Sequence, residues 1–307
     1  MLHNRVVQAT AKSVLRLLIA PTLCVGAQPW TLCVCLCDAE RHRRHSHAER
    51  GNELKIRARL AVGRVLLPST QSLISQRQSM LPNRVVQAAA KSVLQQLVTR
   101  ITPQSTEASI AEMATQMLAD SGYPQTWYYD CPAFVLLGSR SALSVSGRDY
   151  RPSDEAVGLH NLITVDLSPR AGNVWGDCAR SFYVEEGVCR AVPVGAEFSR
   201  GYEVEHLLHA MMRTFARPET TFNDLHAFAN DLIASEGFEN LDFAGNVGHS
   251  ICEQRDQRLY IEAGNHRRLE EVTCFTFEPH ARERGGRWGY KHENIYFFSD
   301  EGKVCEL

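Results

Sequence analysis

Four acidic residues sit inside or against apolar, strand-forming runs: Asp166 in LITVDLS, Asp177 in VWGDCARSF, Glu278 in CFTFEP and Glu293 in KHENIYFF. Burying an unpaired carboxylate costs several kcal/mol, so a chain that puts four of them in core strands needs something cationic where they meet. Opposed residues of an antiparallel hairpin point to one face, with Cα atoms about 4.5–5.5 Å apart. A turn in PRAGN centred on Ala171 and Gly172 sets Asp166 opposite Asp177, and a loop in ARERGGRWGY centred on Gly285 and Gly286 sets Glu278 opposite Glu293. Pro279 and the longer loop make the second register the looser one. Two such carboxylate pairs cannot all ionise unaided. A pair of divalent ions about 3.5–4 Å apart, sharing carboxylates, is the economical solution. Oxygen donors with one imidazole suit manganese, cobalt, iron or zinc. His249, in GNVGHSIC between Gly245 and Gly248, is the imidazole candidate, although a glycine-flanked histidine by itself reads as a turn residue. The competing solution pairs the acids with Arg180, Arg282 or Lys291.

The rest of 80–307 supplies the frame. Apolar steps of three and four predict a helix over 83–98. Ser105 is placed to cap a helix through Asp120, closed by Gly122, and further helices are expected at 196–215 and 222–235, the latter opened by Thr220 or Thr221. Strands are expected at 126–130, 132–138, 162–168, 174–185, 274–278 and 294–298. Hairpins dominate, so the expectation is α+β with a largely antiparallel sheet.

Composition separates a front segment from this frame. Residues 1–79 hold 12 basic and 4 acidic side chains, against 21 and 31 in residues 80–307. A repeat marks the junction: MLHNRVVQATAKSVLRLL from Met1 and MLPNRVVQAAAKSVLQQL from Met80 agree at 14 of 18 positions. The residues after the first copy bear no likeness to those after the second, which argues against a solenoid. Residues 1–79 therefore read as a poorly structured appendage with a duplicated helix, and 80–307 as the compact domain. A signal peptide ending near Cys24–Ala27 and a zinc site from Cys33, Cys35, Cys37, His42, His45 and His47 are weaker readings, because the second copy lacks the apolar run and the cysteine spacing is too short. No apolar run is long enough to span a bilayer. A net charge of −2 gives no reason to expect nucleic acid or a membrane as partner. Cys131, Cys178, Cys189, Cys252, Cys274 and Cys305 read as reduced, buried thiols, pointing to the cytoplasm.

Taken together, Asp166, Asp177 eleven residues on, His249 in GHSI, Glu278 before Pro279, and Glu293 resemble the ligand set of the pita-bread metallopeptidases, the family of methionine aminopeptidase, Xaa-Pro aminopeptidase and prolidase. The resemblance covers about 80–307. It implies a pseudo-twofold α+β fold whose halves each donate a hairpin, with those five residues holding two divalent ions. It further implies a water acidified between the ions, a polarised scissile carbonyl, catalytic roles for Glu278 (general base) and His249, and a peptide or small amide as substrate, with room for a homodimer. Two departures stand out. The family carries a histidine 17–18 residues before the first ligand, where this chain has Arg148 and Asp149, and another seven after the ligand histidine, where it has Asp256. A catalytically silent binding protein and a small-amide hydrolase therefore stand beside the aminopeptidase reading. His280 or His292 is expected to stand in as proton donor or to lie behind the site, His160 to sit at a strand entry, and His206 and His209 to share a solvent-facing helical stripe.

Overall fold

The computed structural model of the protein describes residues 70–307. The first copy of the repeat, the signal-like run and the Cys33–His47 stretch lie outside these residues.

Helix α1, Thr70–Leu97, buries Val86, Ala90, Val93, Leu94 and Leu97 as one stripe. It begins ahead of the predicted start, in a stretch without apolar period, and carries Pro82 inside it. Helix α2, Glu107–Asp120, is opened by Thr106 rather than Ser105. The Thr106 hydroxyl accepts from Ser109 N–H while the Ser109 hydroxyl accepts from Thr106 N–H, a reciprocal cap worth about 1 kcal/mol. Strand β1 is only Gln125–Thr126, because Tyr129 and Asp130 take positive φ and turn the chain out of the strand expected over 126–130.

Strands β2 (Ala133–Leu137), β3 (Asn161–Leu167), β4 (Pro169–Ala171), β5 (Val174–Trp175), β6 (Cys178–Glu185) and β7 (Val188–Arg190) complete the first half. They form a four-stranded antiparallel sheet, β2-β3-β6-β7, and a small sheet, β1-β4-β5. Leu94, Leu97, Ile110 and Leu118 of the two helices join Val135, Val165 and Phe182 of the sheet in one core. Each such residue contributes roughly 1.5–3 kcal/mol by burial.

The second half repeats the plan. Helices α3 (Ala196–Phe215) and α4 (Phe222–Ser235, capped by Thr221) fall where the sequence places them. Next come β8 (Phe238–Asn240), β9 (Ser250–Ile251), β10 (Cys274–Phe277), β11 (His280–Glu283), β12 (Gly289–Lys291), β13 (Asn294–Phe298) and β14 (Val304–Glu306), arranged as β14-β13-β10-β9 and β12-β11-β8. Phe198, Leu208, Phe222 and Leu225 of the helices pack with Phe275 and Tyr296 of the sheet. The result is the mixed, largely antiparallel, two-halved architecture expected.

Each hairpin is broken at or within two residues of its acids, so its strands pass from one sheet to another. In the second hairpin Phe277 opposes Asn294 before the break and His280 opposes Lys291 after it, which leaves Glu278 and Glu293 opposite each other in the gap. The first hairpin corrects the expected register. Ala171 pairs with Val174 and Asp166 with Ala179, not Asp177. The turn centres on Gly172 and Asn173, because a two-residue hairpin turn needs φ > 0 at its first central position; Gly172 supplies φ +60° and alanine does so only with strain. Moving the centre by one moves every partner by two, and a strand period of two keeps the same face. The 174–185 stretch is likewise not one strand but β5 and β6, separated at Gly176–Asp177.

Candidate metal centre

The five candidate ligands come together. Asp166 sits near the end of β3, Asp177 in the gap between β5 and β6, His249 just before β9, Glu278 just after β10 and Glu293 just before β13. Carboxylate oxygens of Asp166, Asp177 and Glu293 all lie within 4.8 Å of one another. His249 Nε2 is 3.4 Å from Asp177 Oδ2 and 3.5 Å from Glu278 Oε1.

Gaps between strands leave main-chain groups without ladder partners, and side chains take over. Gln87 of α1 clamps Asp177: its Nε2 donates to the Asp177 carbonyl and its Oε1 accepts the Asp177 N–H, both at 2.8 Å. Glu293 N–H donates to the Ala179 carbonyl at 3.0 Å. Arg180 holds the adjoining stretch, donating through Nη1 to the Glu293 carbonyl at 2.7 Å and through Nη2 to Asn294 Oδ1 at 2.8 Å. Arg180 thus binds backbone and amide, and Arg282 pairs with Glu239; neither neutralises the acids. His249 Nδ1 donates to the Ser250 carbonyl at 3.0 Å, which in a neutral ring leaves Nε2 as the lone-pair nitrogen facing the carboxylates. Trp127 lies edge-on to the same ring at 5.5 Å and stacks on Trp175 at 4.7 Å.

Lys291 does reach the acids. Its ammonium donates to Asp166 Oδ2 at 2.9 Å and to Glu278 Oε2 at 3.1 Å. Burial opposes its charge, but the carboxylates of Asp166, Glu278 and Glu293 raise its pKa well above the usual lysine range. Burial also pushes Glu278 up, yet the Lys291 ammonium beside it holds that carboxyl below its ordinary value.

The other two carboxylates are left over. Asp177 Oδ2 and both Glu293 oxygens are buried with no hydrogen-bond partner. Burial, with the neighbouring acids, pushes Asp177 up to about 7 and Glu293 well above its usual value. Unpartnered buried oxygens of this kind are rare in native proteins and call for an ion or water. Three converging carboxylates, a fourth alongside and one imidazole lone pair are a donor set that fits hard-to-borderline divalent ions.

The centre opens into a cavity of about 840 Å³ walled by Trp127, Tyr128, Tyr260 and Phe243, with Arg258 beside them. Arg258 lies over the Trp127 ring at 4.9 Å and the Tyr260 ring at 5.2 Å. None of these wall residues stands out in the sequence, because they come from loops without periodicity. Gln87 does not stand out as a site residue either, although it shares the buried side of α1 with Val86, Ala90 and Leu94, an odd place for an amide.

A sequence model for metallopeptidase family M24 matches residues 83–300. The chain belongs to that family. Its fold is the pita-bread fold: X-Pro aminopeptidase from Thermotoga maritima superposes with a TM-score of 0.61 at 19% identity, covering 78% of this chain and 62% of that one. Prolidase from Pyrococcus furiosus gives 0.58 at 18%, over 78% and 64%. Methionine aminopeptidase from Rickettsia prowazekii gives 0.57 at 13%, over 75% and 96%. The chain thus spans less than two-thirds of the X-Pro aminopeptidase and prolidase structures. No curated protein matches the sequence.

Where M24 members carry the two further histidines, the structure places surface groups. Arg148 and Arg255 both cover the Tyr129 ring, at 4.9 and 3.8 Å, and the Asp256 side chain is exposed. The stand-ins do not replace them. His280 lines the cavity, but its Nε2–H is committed to the Ser141 carbonyl at 2.6 Å, and burial lowers its pKa to about 4. His292 packs against His209 and His206 at 4.5 and 5.0 Å, away from the cavity. His206 is half-exposed, but His209, expected at the surface, is buried between Tyr296 OH and the His292 carbonyl. His160, at the entry to β3, pairs with Glu197. All six described cysteines are free; Cys131, Cys178 and Cys274 are buried, and Cys189, Cys252 and Cys305 are partly exposed.

Proposed function

We propose that this chain is a metal-dependent hydrolase that releases the N-terminal residue of a short peptide, with Asp166, Asp177, His249, Glu278 and Glu293 holding two divalent ions. The observation that carries this reading is the set of orphaned, buried oxygens on Asp177 and Glu293, with His249 Nε2 3.4 Å from Asp177 Oδ2. Manganese, cobalt, iron or zinc bound there supplies Lewis acidity toward the scissile carbonyl and acidifies a water. Glu278, held ionised by Lys291, is ready to accept a proton and is the general base. The aromatic wall of the cavity excludes water around the side chain of the bound peptide. The free thiols favour the cytoplasm, and no described helix is long and apolar enough to cross a membrane.

One observation favours a second reading, a silent binding protein: Lys291 already neutralises Asp166 and Glu278. Metal analysis after reconstitution decides between them. Bound divalent metal, with release of the first residue from Met-Ala or Xaa-Pro peptides that Asp177→Asn abolishes, supports the hydrolase. Protein that takes up no ion sinks it.

A further inference from the structure

Arg148 and Asp149 stand where M24 members carry a histidine, and beside them a phenol takes up the space. A Cβ on Gly147, the residue before Arg148, would fall 2.5 and 2.7 Å from two ring carbons of Tyr128. The Tyr128 ring thus lies against backbone that admits no side chain. The Gly147 N–H donates to Tyr128 Oη at 3.2 Å. The main chain of Tyr128 is fixed as well: its N–H donates to Thr126 Oγ1 at 3.0 Å, and its carbonyl accepts from Cys131 N–H at 2.8 Å across the turn that Tyr129 and Asp130 make with positive φ. Trp127 and Tyr129 flank the ring at 5.2 and 5.1 Å.

Because its oxygen accepts from Gly147, the Tyr128 hydroxyl has its own proton left to donate. Tyr128 lines the same cavity as Asp166, His249, Glu278 and Lys291. Burial raises the pKa of the phenol above its ordinary value, and the charges of Lys291, Asp166 and Glu278 act on it across the cavity. The hydroxyl therefore keeps its proton at neutral pH. Three other donors of the wall are already committed: Trp127 Nε1 to the Gly176 carbonyl at 3.1 Å, Arg258 Nε to the Arg255 carbonyl at 3.0 Å, and His280 Nε2 to the Ser141 carbonyl.

We infer that Tyr128 is the hydrogen-bond donor that stabilises the oxyanion formed from the scissile carbonyl, in place of the first missing histidine. As water adds to the carbonyl carbon, the new C–O bond forms and the carbonyl π pair moves onto oxygen. The Tyr128 O–H donates to that oxygen without giving up its proton. A preset donor of this kind is worth about 100–1,000-fold in kcat. The inference rests on the hydrolase reading and deepens it, because it gives the reaction a donor that the two histidine positions do not supply.

Tyr128→Phe in the metal-loaded full chain keeps the ring and removes the donor. Near-UV circular dichroism and metal content report whether the fold and the centre are intact. On the peptide that the wild type cleaves, Met-Ala or Xaa-Pro, the variant is expected to lose about 100-fold or more in kcat with KM little changed. The phosphinic analogue of Met-Ala, whose tetrahedral phosphinate mimics the oxyanion, should bind about 100-fold more weakly while free methionine binds as before. Should Tyr128→Phe fail to fold, 3-fluorotyrosine in place of Tyr128 keeps ring and hydroxyl, and its fluorine resonance should move when the phosphinate binds and stay when methionine does. The inference is overturned by full turnover or full phosphinate affinity in Tyr128→Phe, by an unmoved fluorine resonance, or by a loss that appears in Tyr260→Phe instead. Wild-type protein without turnover sinks the hydrolase reading and this inference with it; turnover that survives Tyr128→Phe sinks this inference alone.

Discussion

The two hairpins that deliver the acids obey the same pairing rule and respond to it differently. The first, with a tight turn, is shifted by two positions from the expected alignment; the second, with a longer loop and a proline beside its acid, keeps its register across the break. A two-residue turn has little choice of where its positive φ goes, so one glycine decides the alignment of every residue above it. The longer loop is tolerant because β11 and β12 zip as a ladder of their own before the chain reaches Glu278 and Glu293. The acids differ in consequence: Asp177 lies diagonal to Asp166 and needs Gln87 to hold it, whereas Glu278 and Glu293 are directly opposed.

The largest test of this contrast neutralises Asp177. In metal-free protein its carboxyl, raised to about 7, keeps a proton that the unfolded chain gives up near pH 4. Its contribution to stability is therefore full below pH 4 and lost as pH rises through 7. Asp177→Asn should remove that decline and make the metal-free protein more stable above pH 7 by on the order of 2–4 kcal/mol, while abolishing metal uptake; chemical unfolding at pH 5 and 8 reads the first effect and titration calorimetry the second. An equal pH slope in both proteins would show the acid is not strained. Next comes the clamp. Gln87→Ala leaves the buried N–H and C=O of Asp177 unpaired, for a loss of about 2–4 kcal/mol and a 10–100-fold weaker metal site; unchanged metal affinity would mean that the first hairpin holds Asp177 without help. The smallest effect is in the turn. Gly172→Ala meets no atom within 4 Å, so its cost is backbone strain alone, about 1 kcal/mol, read as a small fall in the unfolding midpoint.

The four acids of the proposed centre were legible because an acid that interrupts an apolar strand is stable there only beside a cation, His249 only because such a centre wants a neutral donor, and the helices because their period is regular. Lys291 could be named only as one of three candidate cations, since which basic group points inward depends on a register shared with His280. The cavity wall was not legible: Trp127, Arg258 and Tyr260 meet through loops, where no spacing rule links sequence to space. Gln87 lay in plain view on an apolar stripe, but its partner is 90 residues away.

That distance has a consequence in time. Asp177 is held by a residue 90 positions earlier, Glu293 by one 113 positions earlier, and α1 itself by Glu306, 215 positions from Lys91. Contacts so far apart in sequence close late. A growing chain therefore has Asp166 and Asp177 on their hairpin before Glu278 and Glu293 exist, and the full set of acids meets only once Glu293 has emerged.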